Sequence, residues 1–475
     1  MVPRGANPDL CRMKSARAQT IFSLLLGSLL LCFAAFYNGY PLIYPDTGTY
    51  IWSGFNGEVP IDRPLLYGLF VRHMSLSTSL WFVVVAQGLL MGSAIFLFVK
   101  HLLPGSRYQV WFLVLCTVLV LTTGVSTRSS QIMPDIFAAL PALALSVLLF
   151  GQSVARGTRW YLALLTLLGL VMHSSHPLIY LGTLTVLSLA WGLTWWRSRQ
   201  LPVRARDWGL AWGLLLLAWV TIPTVHVLFG GPFQANRASH IFLMGQLNSM
   251  GLLQPYLKQH CDAEQPYVLC DYQGQIPMDY LWDPQSPIYQ TGGWAAQDPE
   301  AYQRLTRDLL TEPRYAKRFL IKVVFGTFHQ FFHFHTGNTP EQRSQSSAYQ
   351  AIQAHFPTEV YPLVLARQWI EARLDYTALN QRERILILGC LLLVALLMLQ
   401  PGWVRRIPPH LIWTLTLVML MLVVNAAICG GLSNGNMRYQ NRVVWLLPLI
   451  IGLLGLSQRG RLRALWQQLR GLPPA

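Results

Sequence analysis

Residues 21–50 read IFSLLLGSLLLCFAAFYNGYPLIYPDTGTY. The uncharged apolar run from Ile21 to Phe36 is long for the core of a signal peptide. It lacks a small-residue cleavage site and is followed by further apolar runs, so it reads as a retained first membrane helix. Directly after it come Tyr44-Pro45-Asp46-Thr47-Gly48-Thr49-Tyr50, which place a carboxylate just past the end of that helix.

Composition points the same way. The chain has 475 residues, of which 53% are hydrophobic and 12% charged, and its 17 Trp and 19 Tyr suit interfacial belts. This is the profile of an all-α polytopic membrane protein. The net charge of +16 would suggest nucleic acid in a soluble chain. Here the basic residues sit in short loops between apolar runs, which is a topology signal and argues against a nucleic-acid partner.

About ten apolar runs of membrane length are expected, at 21–37, 80–99, 108–125, 134–150, 160–173, 177–195, 208–229, 385–400, 411–428 and 443–457. With the N-terminus in the cytoplasm, eighteen basic residues fall inside: Arg4, Arg12, Lys14, Arg17, Lys100, Arg107, Arg156, Arg159, Arg197, Arg199, Arg204, Arg206, Arg405, Arg406, Arg459, Arg461, Arg463 and Arg470. The short outer segments 38–79, 126–133, 174–176 and 429–442 then hold only Arg63, Arg72, Arg128, Arg438 and Arg442. That bias satisfies the positive-inside rule and places the chain in the plasma (inner) membrane with both termini cytoplasmic. An eleventh span at 319–335 would invert the basic C-terminal tail. That stretch therefore reads as an interfacial amphipathic helix, with Arg314, Lys317, Arg318 and Lys322 at its wet end and Phe331, Phe332 and Phe334 dipping inward.

Three parts follow: a seven-span module, 1–229, whose first outer loop is 38–79; an extracytoplasmic insertion, 230–383; and a three-span module, 384–475. Cys261 and Cys270 share the insertion and are expected to form a disulfide in an oxidising compartment. A zinc site at His260 and Cys261 lacks a close cysteine pair. One at His329 and His333 has the i, i+4 spacing but no nearby carboxylate.

Charges at the outer helix ends are the candidates for chemistry, because they are costly near a membrane core. Asp46 reads as a catalytic base or as a turn cap accepting backbone N–H bonds. Asp62 and Arg63 form an ion pair in one reading; in the other, Arg63 binds substrate. Arg128-Ser129-Ser130-Gln131 reads as the opening of the helix that contains Met133-Pro134-Asp135, where Asp135 would face the helix dipole. A guanidinium at Arg128 suits a phosphate. His173 and His176 flank a tight hairpin and either bind substrate or cap carbonyls. Arg438, Tyr439 and Arg442 either anchor lipid headgroups or bind an anionic substrate.

The layout resembles the GT-C superfamily of integral-membrane glycosyltransferases, which take sugars from polyprenyl-phosphate carriers at the outer membrane face. Asp46 directly after the first span, seven spans before a variable outer region, and Met437-Arg438-Tyr439 through Arg442 before the last span carry the likeness. The Met133-Pro134-Asp135 helix start is similar too. The resemblance implies a membrane lipid partner and a polyprenyl-phosphate-linked sugar. Asp46 would be the base, with Arg63, Arg128, Asp135, His173, His176, Arg438, Tyr439 and Arg442 binding substrate and the anomeric centre inverting. The first loop has no Asp-x-Asp or Asp-Glu pair, which leaves metal dependence open, a divalent metal being possible but not indicated, and the insertion matches no acceptor-binding domain.

The rival class is a transporter or flippase for an anionic lipid or solute. It fits less well, because the charges gather at outer ends and trace no path across the bilayer. An acyltransferase using His173 or His176 would present its donor from the other side.

Overall fold

The apolar run that opens the chain lies in a 24-residue helix, Pro8–Leu31, followed after Cys32 by Phe33–Asn38, which Gly39 ends in the left-handed region at φ 81°. The computed structural model describes residues 8–103, 105, 107–199, 202–261, 267–337, 344–372, 374–461 and 467. Its regular elements are helical, and among the described residues the single extended pairing is an isolated parallel bridge between Leu42 and Gln131.

Five helices are long and apolar enough to cross a membrane: Leu80–Leu102, Ser175–Arg197, Ala205–Leu228, Pro409–Gly431 and Met437–Ser457. By length and composition this is a membrane protein. Three more expected spans are shorter apolar helices, Arg17–Leu31, Tyr108–Thr122 and Pro134–Phe150. Most of the run at 160–173 lies in Arg156–Val171, whose 16 residues extend only about 24 Å at 1.5 Å per residue. The run at 385–400 lies in Thr377–Leu399, which opens with Asn380, Arg382, Glu383 and Arg384. Leu189, Leu216, Val220 and Leu392 are more than half exposed on the flanks of these helices, as lipid contact requires.

Small residues let the helices approach. A Cβ on Gly92 would lie 2.3 Å from Ser28 Oγ, and one on Gly88 would lie 2.4 Å from Cys32 Sγ, so the first helix and Leu80–Leu102 meet through glycine, serine and cysteine. Thr47–Asn56 and Leu66–Met74 pack closer still: a Cβ on Gly54 would stand 2.0 Å from the Gly68 carbonyl oxygen.

The stretch 230–383 is not one unit. Ile241, Leu253, Tyr280, Tyr302, Leu305 and Tyr315 belong to a core of its own. Ala348, Ile352, Phe356 and Leu363 instead join the main core. Buried Glu359 accepts hydrogen bonds from the Tyr40 hydroxyl at 2.8 Å, Ser79 Oγ at 2.5 Å and the Leu80 amide at 3.2 Å. Gln368 pairs with the backbone of Ile43, accepting from its N–H at 3.1 Å and donating to its carbonyl at 2.7 Å. The later segment thus clamps the chain just before Asp46.

Cys261 and Cys270 are disulfide-bonded, with Cα atoms 5.4 Å apart. His260 faces Glu312 at 2.9 Å, not a metal set with Cys261. The amphipathic stretch at 319–335 lies in Pro313–Phe332, started by Pro313 and seated on a π-helical turn, Ala427–Gly431. Leu320, Val324 and Phe328 form an exposed apolar stripe along it. Phe334 is buried with Ile387 and Val444, while Phe332 stays 40% exposed.

Replacing Gly54 by Ala forces two helix backbones apart and should destabilise by about 1–3 kcal/mol, the usual cost of overpacking. Gly213→Ala meets nothing within 4 Å. Thermal unfolding in detergent should show a clear drop in Tm for the first and none for the second; equal Tm values would contradict the close approach.

Candidate functional site

Asp46 ends an extended stretch that is pinned on both sides. The Leu42 amide donates to the Ser130 carbonyl at 3.0 Å, and the Ile132 amide donates to the Leu42 carbonyl at 2.9 Å. Thr47 Oγ1 donates to the Ile132 carbonyl at 3.0 Å and accepts from the Tyr44 amide at 2.9 Å. Behind this contact Gln87 Nε2 donates to the carbonyls of Ser129 and Gln131, and its Oε1 accepts from the Tyr67 hydroxyl. These bonds bring residue 46 beside residue 135.

The segment carrying Arg128 and Asp135 differs from the expected single helix. Val125–Ser130 is a separate short helix, Gln131 is extended, and Pro134–Ala138 is a 3-10 turn before Leu140–Phe150. Pro134 disfavours helix at Met133, which sits at φ −152°, ψ 150°. The break lets backbone 130–132 pair with Leu42 and turns Asp135 inward.

Asp46 is not a turn cap, because its side chain makes no capping hydrogen bond to the helix it precedes. Its two oxygens are divided between guanidiniums: Oδ1 lies 3.2 Å from Arg63 Nη2, and Oδ2 lies 3.4 Å from Arg438 Nη1. The Asp46 side chain is 24% exposed, against 10% for Arg63 and 9% for Arg438. It is the open rim of an otherwise buried cluster. Arg63 is shared with Asp62 at 2.5 Å, so that neighbouring pair exists as well. Burial works against the Arg63 charge, but Asp46, Tyr50 and Asp62 outweigh it and hold the pKa well above the ordinary guanidinium value.

Arg438 and Arg442 lie four residues apart on one helix, Met437–Val444, capped by Asn436 Oδ1, and so share a face. Arg438 Nε is 3.6 Å from Asp135 Oδ2, and Arg442 Nη1 is 3.5 Å from Asp135 Oδ1. Asp135 therefore faces two arginines and not a helix dipole. With Arg438 and Arg442 only 7% and 1% exposed, neither is a headgroup anchor on the surface. Arg438 also lies over the Tyr44 ring at 4.4 Å, and the Tyr439 ring is 5.3 Å from each of the two guanidinium carbons.

Arg128 is 2% exposed, so it is not a free surface guanidinium. Its Nε donates to Asn441 Oδ1 at 2.7 Å and its Nη1 to Gln131 Oε1 at 3.0 Å. Burial pushes its pKa below the ordinary value, only partly offset by Asp135. Asn441 Nδ2 in turn donates to Glu383, which also accepts from the Gly124 amide at 3.0 Å. His173 Nδ1 contacts Ser175 Oγ at 2.9 Å, and His176 Nδ1 contacts the Gly169 carbonyl at 2.7 Å. Their hairpin touches the cluster through Ser175 Oγ, which accepts from Arg442 Nη2 at 3.3 Å.

The structure thus gathers Asp46, Arg63, Asp135, Arg438, Tyr439 and Arg442 into one network, with Arg128 beside it and the two histidines at its edge. Sequence reading missed Glu383, Asn441, Gln131 and Tyr44. Glu383 stands between two arginines ahead of an apolar run, which looks like a solvated flank; only its burial at 0% exposure marks it out. Among the described residues no group of three His, Cys, Asp or Glu side chains is placed to hold a metal ion. Arg63 Nη1, Arg128 Nη2 and Arg442 Nε are buried without hydrogen-bond partners, so donor capacity remains in the cluster. Such guanidinium donors suit an anion, and Asp46 offers a reachable carboxylate beside them.

Comparison with family models, curated proteins and solved structures finds no match to this chain.

Asp135→Asn removes the charge that faces Arg438 and Arg442 while keeping the shape of the side chain. Arg438 keeps Asp46, but the buried Arg442 guanidinium loses the carboxylate it faces, and breaking such a buried pair costs on the order of 3–5 kcal/mol. Glu300→Gln, at an exposed helix start, should change little. Unfolding temperatures in detergent should separate the two variants widely; similar values would refute the pairing.

Proposed function

We propose that this chain is a GT-C-type membrane glycosyltransferase that moves a sugar from a polyprenyl-phosphate carrier to an acceptor hydroxyl at the outer membrane face. The observation that carries this reading is the Asp46 carboxylate, about a quarter exposed to solvent and held by two guanidiniums at the rim of a cluster with unpartnered N–H groups. Base and anion site stand side by side, as the reaction requires.

Ten spans with both termini cytoplasmic would put this end of the bundle outside, together with the 230–383 stretch. The distribution of basic residues supports that orientation. Asp46 and Arg63 from the first outer loop, Arg128 and Asp135, the His173/His176 hairpin, and Arg438 and Arg442 from one helix would then all lie at the outer end of the bundle.

In this reading the acceptor O–H gives its proton to Asp46 as its oxygen attacks the anomeric carbon from the face opposite the phosphate. The bond between that carbon and the phosphate oxygen breaks, its electron pair leaves with the polyprenyl phosphate, and the anomeric centre inverts. The leaving group departs ionised, so it needs positive charge more than a general acid. Arg438 and Arg442 supply it. Their carboxylate contacts at 3.4 to 3.6 Å exceed the ~2.7–2.9 Å of tight charge-assisted bonds, and the Nε of each is without a hydrogen-bond partner, so donors remain for a phosphate oxygen. Arg63 and Arg438 each fix one Asp46 oxygen, so the carboxylate plane is set before the acceptor arrives.

Asp46→Asn should keep polyprenyl-phosphate binding and lower turnover by about 10²–10⁴-fold, the usual worth of a general base. Arg438→Gln should instead weaken capture of polyprenyl phosphate by about 10–100-fold, the loss of one charged hydrogen bond. Sugar transfer near the wild-type rate in correctly folded Asp46→Asn would falsify the base assignment. Orientation has its own check: cysteine labels near Gln285 and near Arg405 should react from opposite sides of the membrane, and same-side reactivity would reject the ten-span layout.

A further inference from the structure

A second site adjoins the arginine cluster. A cleft of about 740 Å³ lies between the core formed around residues 238–315, the Pro313–Phe332 helix and the loop before Met437. Tyr439, whose ring lies 5.3 Å from the guanidinium carbons of both Arg438 and Arg442, is part of its wall. A ligand in the cleft therefore ends beside the residues that hold Asp46.

Its lining has a chemistry opposite to that of the arginine cluster. There the unpartnered buried atoms are guanidinium nitrogens of Arg63, Arg128, Arg438 and Arg442, with Asp135 Oδ2 among them; in the cleft lining they are two amide oxygens. Gln330 is 1% exposed, and its Nε2 is engaged by the carbonyls of His333 and Asn436, so its Oε1 is left without a donor. Asn434 Oδ1 is likewise buried and unpartnered. A phosphate or carboxylate brings only acceptors and would leave both oxygens unmet, whereas hydroxyl groups would satisfy them. The lining carries one cation, Lys322, and one carboxylate, Asp279, so it has no net charge that would select an anion.

Shape agrees with that chemistry. Trp282, 53% exposed at the wall, offers an aromatic face of the kind that packs against the C–H face of a sugar ring. Gly435 brings its backbone close to the unpartnered oxygen, since a Cβ there would stand 2.8 Å from Gln330 Oε1. The glycine keeps that acceptor approachable.

We infer that this cleft binds a neutral, hydroxyl-rich saccharide, with Gln330 Oε1 and Asn434 Oδ1 accepting from its hydroxyls and Trp282 stacking on a ring. That the saccharide is the acceptor rests on the glycosyl-transfer reading; its chemistry rests on the cleft alone.

The experiment uses the full chain in nanodiscs with three neutral probes, a gluco-, a manno- and a galacto-configured trisaccharide. Binding is read by saturation-transfer NMR and titration, with polyprenyl monophosphate titrated in parallel. At least one trisaccharide should bind. Asn434→Leu and Trp282→Ala should each weaken it at least 10-fold at unchanged unfolding temperature. Asn434→Asp, which keeps an acceptor oxygen, should restore it, and none of the three should alter capture of polyprenyl phosphate. Polyprenyl phosphate binding with no trisaccharide bound overturns the inference and leaves the transferase reading standing. Trisaccharide binding that both variants weaken, with no affinity for polyprenyl phosphate, upholds the cleft and removes the proposed donor. Trisaccharide binding indifferent to Asn434→Leu and Trp282→Ala, a cleft that takes only a phosphate-free polyprenol, or no binding of either probe overturns the inference.

Discussion

Arg438 holds one end of this bundle together. Its guanidinium reaches Asp46 from the first loop and Asp135 from the turn before Leu140–Phe150, and it lies over the Tyr44 ring. A buried charge is tolerated only when opposite charges and polar groups surround it. The helix Met437–Val444, the loop after the first helix and the broken segment 125–138 must therefore meet at one point.

Meeting it requires backbone that is not regular helix. The Leu42–Gln131 bridge, the 3-10 turn at Pro134–Ala138 and the π-helical turn at Ala427–Gly431 all lie around this end of the bundle. In a membrane protein such irregular backbone is stable only where other protein groups satisfy its N–H and C=O. Gln87, Thr47 and Gln368 do so here: each hydrogen-bonds backbone in the segments that carry or flank Asp46 and Asp135. The rest of the bundle packs through small residues, as at Ser28 against Gly92.

The division of unpartnered groups organises the chemistry. Guanidinium nitrogens without acceptors lie in the cluster that holds Asp46 and Asp135, and amide oxygens without donors line the neighbouring cleft. Tyr439 belongs to both, touching the two arginines and walling the cleft. In the proposed reaction an anionic donor and a hydroxyl-bearing acceptor approach Asp46 from these two sides, and the disulfide-bonded core around 238–315 gains a role as one wall of the acceptor site.

Much of this was readable without coordinates. Apolar length marks the membrane helices because an uncharged run of that size has no other stable place, and the Cys261–Cys270 pair follows from two cysteines sharing one polar stretch. Asp46, Arg63, Asp135, Arg438 and Arg442 stood out because charge is scarce and costly beside apolar runs. Other features carried no local signal. Glu383 looks like a solvated flank, and Glu359 and Gln368 like ordinary polar residues of an insertion, yet all three are buried and bind segments far away in the chain. The sequence alone therefore determined which residues are too polar to lie in lipid and too apolar to lie in water, since that depends on each side chain and its near neighbours. Which charge meets which, why Arg128 is locked to Asn441 and not open to solvent, and where a cleft is left between 246, 330 and 434 were decided by tertiary structure, because those contacts join positions hundreds of residues apart and exist only once the helices have packed.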